Sequence, residues 1–147
     1  MEYFTISELS KSDIAKKNGI DNTPDEASKK NLELLVDNIL DPLRRKWGKP
    51  IVVNCGYRCE ELNKLVKGSK TSQHRYGLAA DIEDASRDEV ENKRLFELIR
   101  EMRLPFDQLI NEFGYSWIHI SYSRTLRRGQ ILEAKTVGGK TQYTTMK

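Results

Sequence analysis

The sequence predicts an α+β domain in which a small, mainly antiparallel sheet is flanked by helices. Three observations lead to this class: the chain opens with helical patterns, a β-branched run begins at Ile51, and two strand-like segments meet around Gly114. Helices that precede a block of strands, instead of alternating with strands, are typical of α+β folds. We expect all 147 residues to form one domain, with a basic C-terminal extension from about residue 124.

The N-terminal part of the chain carries two helix signals. Residues 5–17 form the first, with Thr5 or Ser7 as the N-cap. The second begins at Thr23, which is expected to cap the helix, with Pro24 at the first helical position. Pro42 should kink or divide this longer helix. Its apolar residues recur at three- and four-residue spacing and are Leu32, Leu35, Val36, Ile39 and Leu43.

Two further helices and five strands are expected after Pro50. The helices lie at 60–67 and 87–103, and the apolar stripe of the second is Val90, Leu95, Leu98, Ile99 and Met102. Short apolar or β-branched runs between glycines and polar loops predict the strands. These strands are 51–55, 78–82, 107–113, 117–122 and 130–137, and the third and fourth form a hairpin. Gly138-Gly139 is expected to be a further turn.

Charge and composition exclude several classes of protein. Residues 124–147 hold six basic residues against one acidic residue, which favours either an anionic partner or a solvated edge. Tyr143 is the one aromatic residue in that stretch, so no specific nucleic-acid binding by base stacking is expected. No run approaches the ~20 apolar residues of a membrane span. The N-terminus has no signal-peptide pattern, so we expect synthesis in the cytoplasm. We expect a monomer.

The two cysteines are expected to be free thiols. Cys55 and Cys59 are four residues apart, which in a straight strand separates their Cα atoms by about 13 Å, too far for a disulfide. A structural Cys2His2 zinc site is the alternative. Such sites place their histidines three to five residues apart, whereas His74 and His119 are distant in the sequence.

His74, Asp81 and His119 form a candidate metal-binding set. Asp81 lies in a strand of small residues, where a carboxylate needs a partner. Two imidazoles and one carboxylate can hold a divalent metal and leave a position open for water, which is typical of catalytic zinc. The alternative is that both histidines are ordinary half-buried strand residues.

Three motifs strengthen the catalytic interpretation. They are C-G-Y-R-C-E-E-L-N from Cys55, S-Q-H-R-Y-G-L-A-A-D-I from Ser72, and W-I-H-I-S from Trp117. Together they resemble the M15 zinc peptidases, in particular the small phage and prophage branch, over about residues 32–122. That family contains D-alanyl-D-alanine carboxypeptidases and dipeptidases, and phage L-alanyl-D-glutamate endopeptidases. The resemblance implies a fold shared with hedgehog-type signalling domains.

The resemblance also implies roles for particular residues. The zinc ligands would be His74, Asp81 and His119, with one zinc per chain. Arg58 would steady the polarised carbonyl oxygen or a substrate carboxylate, because a guanidinium is always charged and binds two oxygens at once. Ser72 and Gln73 would line the substrate cleft.

One position departs from the family pattern. Many M15 enzymes carry the general base three residues before the last histidine ligand, where this chain has Ser116. Glu112 is the expected substitute, provided that the hairpin loop has an even number of residues and so places Glu112 on the face of His119. Asp107 and Glu83 are the weaker alternatives.

The resemblance implies a zinc-dependent peptidase acting on peptidoglycan stem peptides, as a D-Ala-D-Ala carboxypeptidase or an endolysin-like endopeptidase. It would act on the cell wall if released by a separate route, as phage lysis proteins are. The alternative is a catalytically inactive zinc-fold module that binds the cell wall or serves as a scaffold, and Ser116 is the observation that supports it.

Overall fold

A computed structural model describes all 147 residues, and its centre is one six-stranded sheet. The strands are β1 (Ile51–Cys55), β2 (Ala79–Asp84), β3 (Gln108–Glu112), β4 (Trp117–Ser121), β5 (Gln130–Val137) and β6 (Lys140–Thr145). The helices are α1 (Ile6–Ser10), α2 (Asp13–Lys17), α3 (Glu26–Leu35), α4 (Asp41–Trp47), α5 (Glu60–Leu65) and α6 (Glu89–Met102). A π-helical turn, Val36–Leu40, joins α3 to α4, and a 3-10 turn spans Gln73–Tyr76.

The α+β class is confirmed, but the sheet is mixed. Its order is β1-β2-β4-β3-β5-β6, and the β3–β5 pair is parallel while the other pairs are antiparallel. The parallel pair has a topological reason. Both edges of β4 are already occupied, by β2 and β3, so the chain leaving β4 adds its next strand at the free edge of β3. Because it returns to the start of β3, it runs parallel to that strand.

The N-terminal helices differ from the prediction in their boundaries. The segment 5–17 is divided into two helices, because Ser12 caps a new one by accepting from the Ala15 amide. Thr5 caps the first helix as expected. The expected cap at Thr23 is wrong, since the N-cap of α3 is Asp25 and the Thr23 hydroxyl donates to Asp21. Pro42 lies in the first turn of α4, directly after the π-helical turn that divides the long helix.

The hydrophobic core lies between the sheet and the helices. Its buried apolar residues include the predicted stripe of α3 and α4, namely Leu32, Leu35, Val36, Ile39 and Leu43. On α6 the buried face is Asn92, Leu95, Phe96 and Ile99, and Val90 is 63% exposed. The placement of Val90 in the stripe was therefore wrong. Val90 is two residues from Asn92, which puts the two side chains on nearly opposite sides of a helix.

The C-terminal residues belong to the sheet. β5 has the predicted bounds, and the turn at Gly138-Gly139 leads into β6, which the sequence analysis did not predict. All six residues of β6 are exposed, so the segment has no alternation of apolar and polar residues that would indicate a strand. None of the helices has the length and apolar character needed to cross a bilayer.

Candidate active site

The sheet presents a polar face on the side away from the core. Side chains alternate between faces along a strand, so the buried Ile118 and Ile120 of β4 leave His119 on the other face. The strand register pairs His119 with Asp81 on β2 and with Ile110 on β3. Two residues further along the same hairpin, Glu112 pairs with Trp117. Because side chains alternate, Glu112 lies on the same face as His119. The register therefore brings three of the predicted site residues, Asp81, Glu112 and His119, to one face.

His74 reaches this face from the 3-10 turn, which is tied to the loop after β1. The His74 ring donates from Nδ1 to the Gly56 carbonyl at 2.7 Å, and the Arg58 amide donates to the His74 carbonyl at 2.9 Å. Glycine is required at position 56, because any Cβ there would collide with the carbonyl of Leu9. The motif around Gly56 thus serves to hold His74 in place.

The two histidines flank one oxygen of Asp81. His74 Nε2 is 3.2 Å from Asp81 Oδ1, and His119 Nδ1 is 3.1 Å from the same oxygen. A carbonyl oxygen only accepts hydrogen bonds, so His74 must carry a proton on Nδ1 to bind the Gly56 carbonyl. In a neutral His74, Nε2 therefore has no proton, and it is this nitrogen that faces Asp81. An acceptor facing a carboxylate oxygen at this distance needs a cation or a proton between them. The donor set therefore fits a divalent metal.

Ionisation of the trio supports the same conclusion. Burial disfavours the charged form of His74, but the adjacent Asp81 carboxylate outweighs burial and raises the pKa of His74. Against the opposing effect of burial, the two imidazoles hold the pKa of Asp81 well below its usual range. Burial prevails at His119 and lowers its pKa. Without a metal, a protonated His74 thus neutralises Asp81 while His119 is neutral. A metal cation would replace that proton.

Cys55 is a further neighbour, which the sequence suggested as a metal ligand only in the alternative Cys2His2 site. It lies opposite Asp81 in the β1–β2 register, and candidate ligand atoms of Cys55, His74 and Asp81 lie within 4.8 Å of one another. However, the Cys55 sulfur approaches His74 at Nδ1, at 3.8 Å, on the ring edge that binds Gly56. The bare nitrogen is on the other edge. We therefore favour His119 over Cys55 as the third donor. Both cysteines are free, as predicted.

Glu112 lies in the same cleft and is 7% exposed. Burial, reinforced by the negative charge of Asp81, raises the pKa of Glu112 to about 7. The two alternative bases already have hydrogen-bonding partners within the protein. Asp107 is fully buried in an ion pair with Arg128, and Glu83 accepts from Arg87, Asn54 and Asn92.

Arg58 carries an uncommitted guanidinium at the cleft. Its Nη2 donates to the Ser72 hydroxyl at 3.0 Å, and its buried Nε has no hydrogen-bond partner. Ser72 and Arg58 both line the cleft, and the positive charge of Arg58 contributes to lowering the pKa of His119. A buried donor without a partner is costly, so this guanidinium is suited to an anionic or carbonyl oxygen of a ligand.

Gln73 lies in the cleft lining, but its side chain is bound inside the protein. Its amide bridges Asp107 and His119, and Asp107 in turn binds Arg128. The Asp107–Arg128 pair was not predicted from the sequence. No local pattern could have revealed it, because the β3–β5 parallel pairing brings the two residues together.

The cleft has a volume of about 610 Å³. One of its walls is formed by residues outside the three sequence motifs. Leu132 from β5 and Thr141 and Tyr143 from β6 line the cleft, together with Trp117. Tyr143 is 54% exposed, so its ring is free to contact a ligand. The basic C-terminal segment thus forms one side of the cleft.

Two imidazoles and a carboxylate, with a nearby buried glutamate, fit the donor pattern of catalytic zinc in hydrolases. A family model described as Peptidase M15 matches residues 2–121. The chain therefore belongs to the M15 peptidase family, whose members are zinc-dependent. No curated protein matches the chain. The matched residues include every candidate metal donor and Glu112, whereas β5, β6 and Arg128 follow them.

Proposed function

We propose that the protein is a zinc-dependent peptidase that hydrolyses peptide bonds in the stem peptides of peptidoglycan. The observation that carries this proposal is the set of donors around Asp81, with two imidazole nitrogens at 3.1 and 3.2 Å from one carboxylate oxygen. Family membership supports a peptide substrate. His74, Asp81 and His119 would hold one zinc ion. Zinc in such a site polarises a carbonyl and lowers the pKa of water to about 7.

Glu112 is the proposed general base. It accepts a proton from the attacking water and then delivers it to the leaving amine. Burial raises the pKa of Glu112 above the ordinary value of a carboxyl group, toward the neutral range in which a group that takes up and returns a proton works best. Ser116 cannot take this role, since its hydroxyl donates to the Phe113 carbonyl at 2.7 Å and stabilises the hairpin turn.

Arg58 is proposed to bind the oxygen on which negative charge develops, or a carboxylate of the substrate. Its guanidinium is held by Ser72 but has no acidic partner, so its charge is available. Ser72 therefore acts on the substrate through Arg58. We propose that the protein acts as a monomer.

Digestion of defined muropeptides, followed by mass spectrometry, tests the proposal. The zinc-loaded protein is compared with protein treated with a chelator and with the same sample after zinc is restored. We expect peptide cleavage that the chelator abolishes and zinc restores. Loss of the terminal residue identifies a carboxypeptidase, and cleavage between L-Ala and D-Glu identifies an endopeptidase. No cleavage of any muropeptide by the zinc-loaded protein would contradict the proposal.

A non-catalytic cell-wall module is the second candidate. Ser116, at the position where many relatives carry an acid, and the basic C-terminal segment favour it. Such a module would sediment with purified peptidoglycan without releasing peptides. The presence of the buried Glu112 in the cleft leads us to prefer the enzyme.

A further inference from the structure

We propose that Arg128, acting through Asp107 and Gln73, fixes the tautomer and orientation of His119 so that Nδ1 is presented to the metal site. This inference rests on the metal site of the proposed function, but it concerns residues that act on that site through His119. They are positioning residues. Arg128 also lies beyond the residues matched by the family model, which end at 121.

The chain of contacts begins at a buried ion pair. Asp107 is completely buried, and the Arg128 guanidinium binds both of its oxygens, Nε to Oδ1 at 2.8 Å and Nη2 to Oδ2 at 2.9 Å. The Arg128 amide adds a third bond to Oδ1 at 3.1 Å. Paired in this way, Asp107 stays ionised and therefore acts only as an acceptor.

The fold supplies the reason that Arg128 reaches Asp107. The amide of Gly129 donates to the Phe106 carbonyl at 3.2 Å, and that of Gln130 donates to the Asp107 carbonyl at 3.0 Å. The loop before β5 is thereby fastened to the start of β3. Arg128, which follows the family match, thus contributes to the site without lining the cleft.

Gln73 transmits this arrangement to His119. Its Nε2 donates to Asp107 Oδ2 at 2.8 Å. Because an ionised carboxylate only accepts hydrogen bonds, the NH2 group of the Gln73 amide must face Asp107. The amide oxygen, Oε1, is consequently turned toward His119 Nε2, at 3.3 Å. Because Oε1 is an acceptor, the proton of neutral His119 belongs on Nε2. Nδ1 is left bare, 3.1 Å from Asp81.

Partners of this kind are known to set the tautomer and basicity of a metal-binding histidine, and their loss costs about 10–100-fold in metal affinity or activity. We therefore expect Gln73→Met, which keeps the volume and removes both hydrogen bonds, to weaken zinc binding by about 10–100-fold. Arg128→Lys keeps the charge of Asp107's partner but loses the two-pronged contact. We expect a smaller loss in the same direction.

Two measurements test the inference. The first is the zinc dissociation constant, from competition with a chromophoric chelator. The second is the nitrogen-15 NMR spectrum of the imidazoles, which is simple because the chain has only two histidines. In zinc-loaded wild-type protein, we expect His119 to carry its proton on Nε2 and His74 on Nδ1. In Gln73→Met, His119 should become a mixture of tautomers.

Two matched controls separate positioning from general damage. Gln108→Met changes a glutamine on the same cleft whose Nε2 binds Gln130 instead. Arg127→Lys changes the neighbouring arginine, which binds the Ser123 carbonyl. Neither control should alter zinc affinity or the His119 tautomer.

The inference is overturned if Gln73→Met and Arg128→Lys bind zinc within twofold of wild type and His119 keeps its proton on Nε2. If Gln73→Met does not fold, Arg128→Lys decides by the same two readouts. Absence of zinc binding by wild-type protein would contradict the proposed function. It would also overturn this inference, whereas zinc binding without peptide cleavage would contradict only the proposed function.

Discussion

Replacing Glu112 by glutamine should change activity and stability in opposite directions. Glutamine keeps the size of the side chain and cannot take up a proton. General-base assistance contributes about 10²–10⁴-fold, so we expect turnover to fall by that factor while zinc content stays at one per chain. The acid limb of the pH–rate profile should also disappear, because wild-type activity falls as Glu112 becomes protonated at low pH.

The stability effect follows from the pKa of Glu112, which is about 7 in the folded protein against an ordinary value of 4.5. The folded state binds this proton more tightly than the unfolded state, so the metal-free protein loses stability as pH rises from about 4.5 to about 7. The full difference corresponds to at most about 3 kcal/mol. Glutamine does not ionise, so the variant should be more stable than wild type at pH 8 and similar to it at pH 5.

Thermal unfolding of the metal-free proteins measures this effect. Each kcal/mol shifts the Tm of a domain of this size by about 2–4 °C, so the variant should unfold several degrees above wild type at pH 8. Glu101→Gln, at an exposed position on α6, is the matched control and should show no such difference. An unchanged turnover together with an unchanged pH dependence of Tm would refute both the buried state of Glu112 and its role as base.

Three further substitutions test other parts of the site. Arg58→Lys should lower kcat/KM by about 10²–10³-fold without loss of zinc, because an ammonium group cannot bind two oxygens as a guanidinium does; near-normal kinetics would place Arg58 outside the reaction. Tyr143→Ala should raise KM about fivefold and leave kcat unchanged, because the exposed part of the ring lines the cleft and no step of the proposed reaction uses it; an unaltered KM would remove β6 from the binding surface. Gly56→Ala should destabilise the protein by about 1–3 kcal/mol in urea unfolding, because the new methyl group collides with the Leu9 carbonyl; a wild-type midpoint would argue against that close approach.

Local sequence patterns predicted the elements whose periodicity reflects burial. β1 and β5 have the predicted bounds, and the stripe of α3 and α4 is in the core. Prediction was wrong where several local signals compete. At the start of α3, Asp25 and Thr23 are both good caps, and the Asp25 side chain accepts from the Ser28 amide. Val90 is apolar, yet it falls off the buried face of α6.

Each motif named candidate residues for the site, but the sequence did not show how residues from different motifs come together. The placement of Glu112 depended on the parity of the hairpin loop, and four residues separate Glu112 from its partner Trp117, which puts Glu112 on the face of His119. Contacts that depend on strand order could not be foreseen. The proximity of Cys55 to Asp81, and of Arg128 to Asp107, results from pairings between strands distant in the sequence. β6 lacks any apolar pattern, so its contribution to the cleft was also hidden.

Zinc content measured by elemental analysis tests the central claim most directly. We predict one zinc per chain in the wild-type protein and in Cys55→Ser, and a loss of stoichiometric zinc in His119→Ala with the fold retained. This comparison separates His119 from Cys55 as the third donor beside His74 and Asp81. Full zinc in His119→Ala, or its loss in Cys55→Ser, would contradict the account.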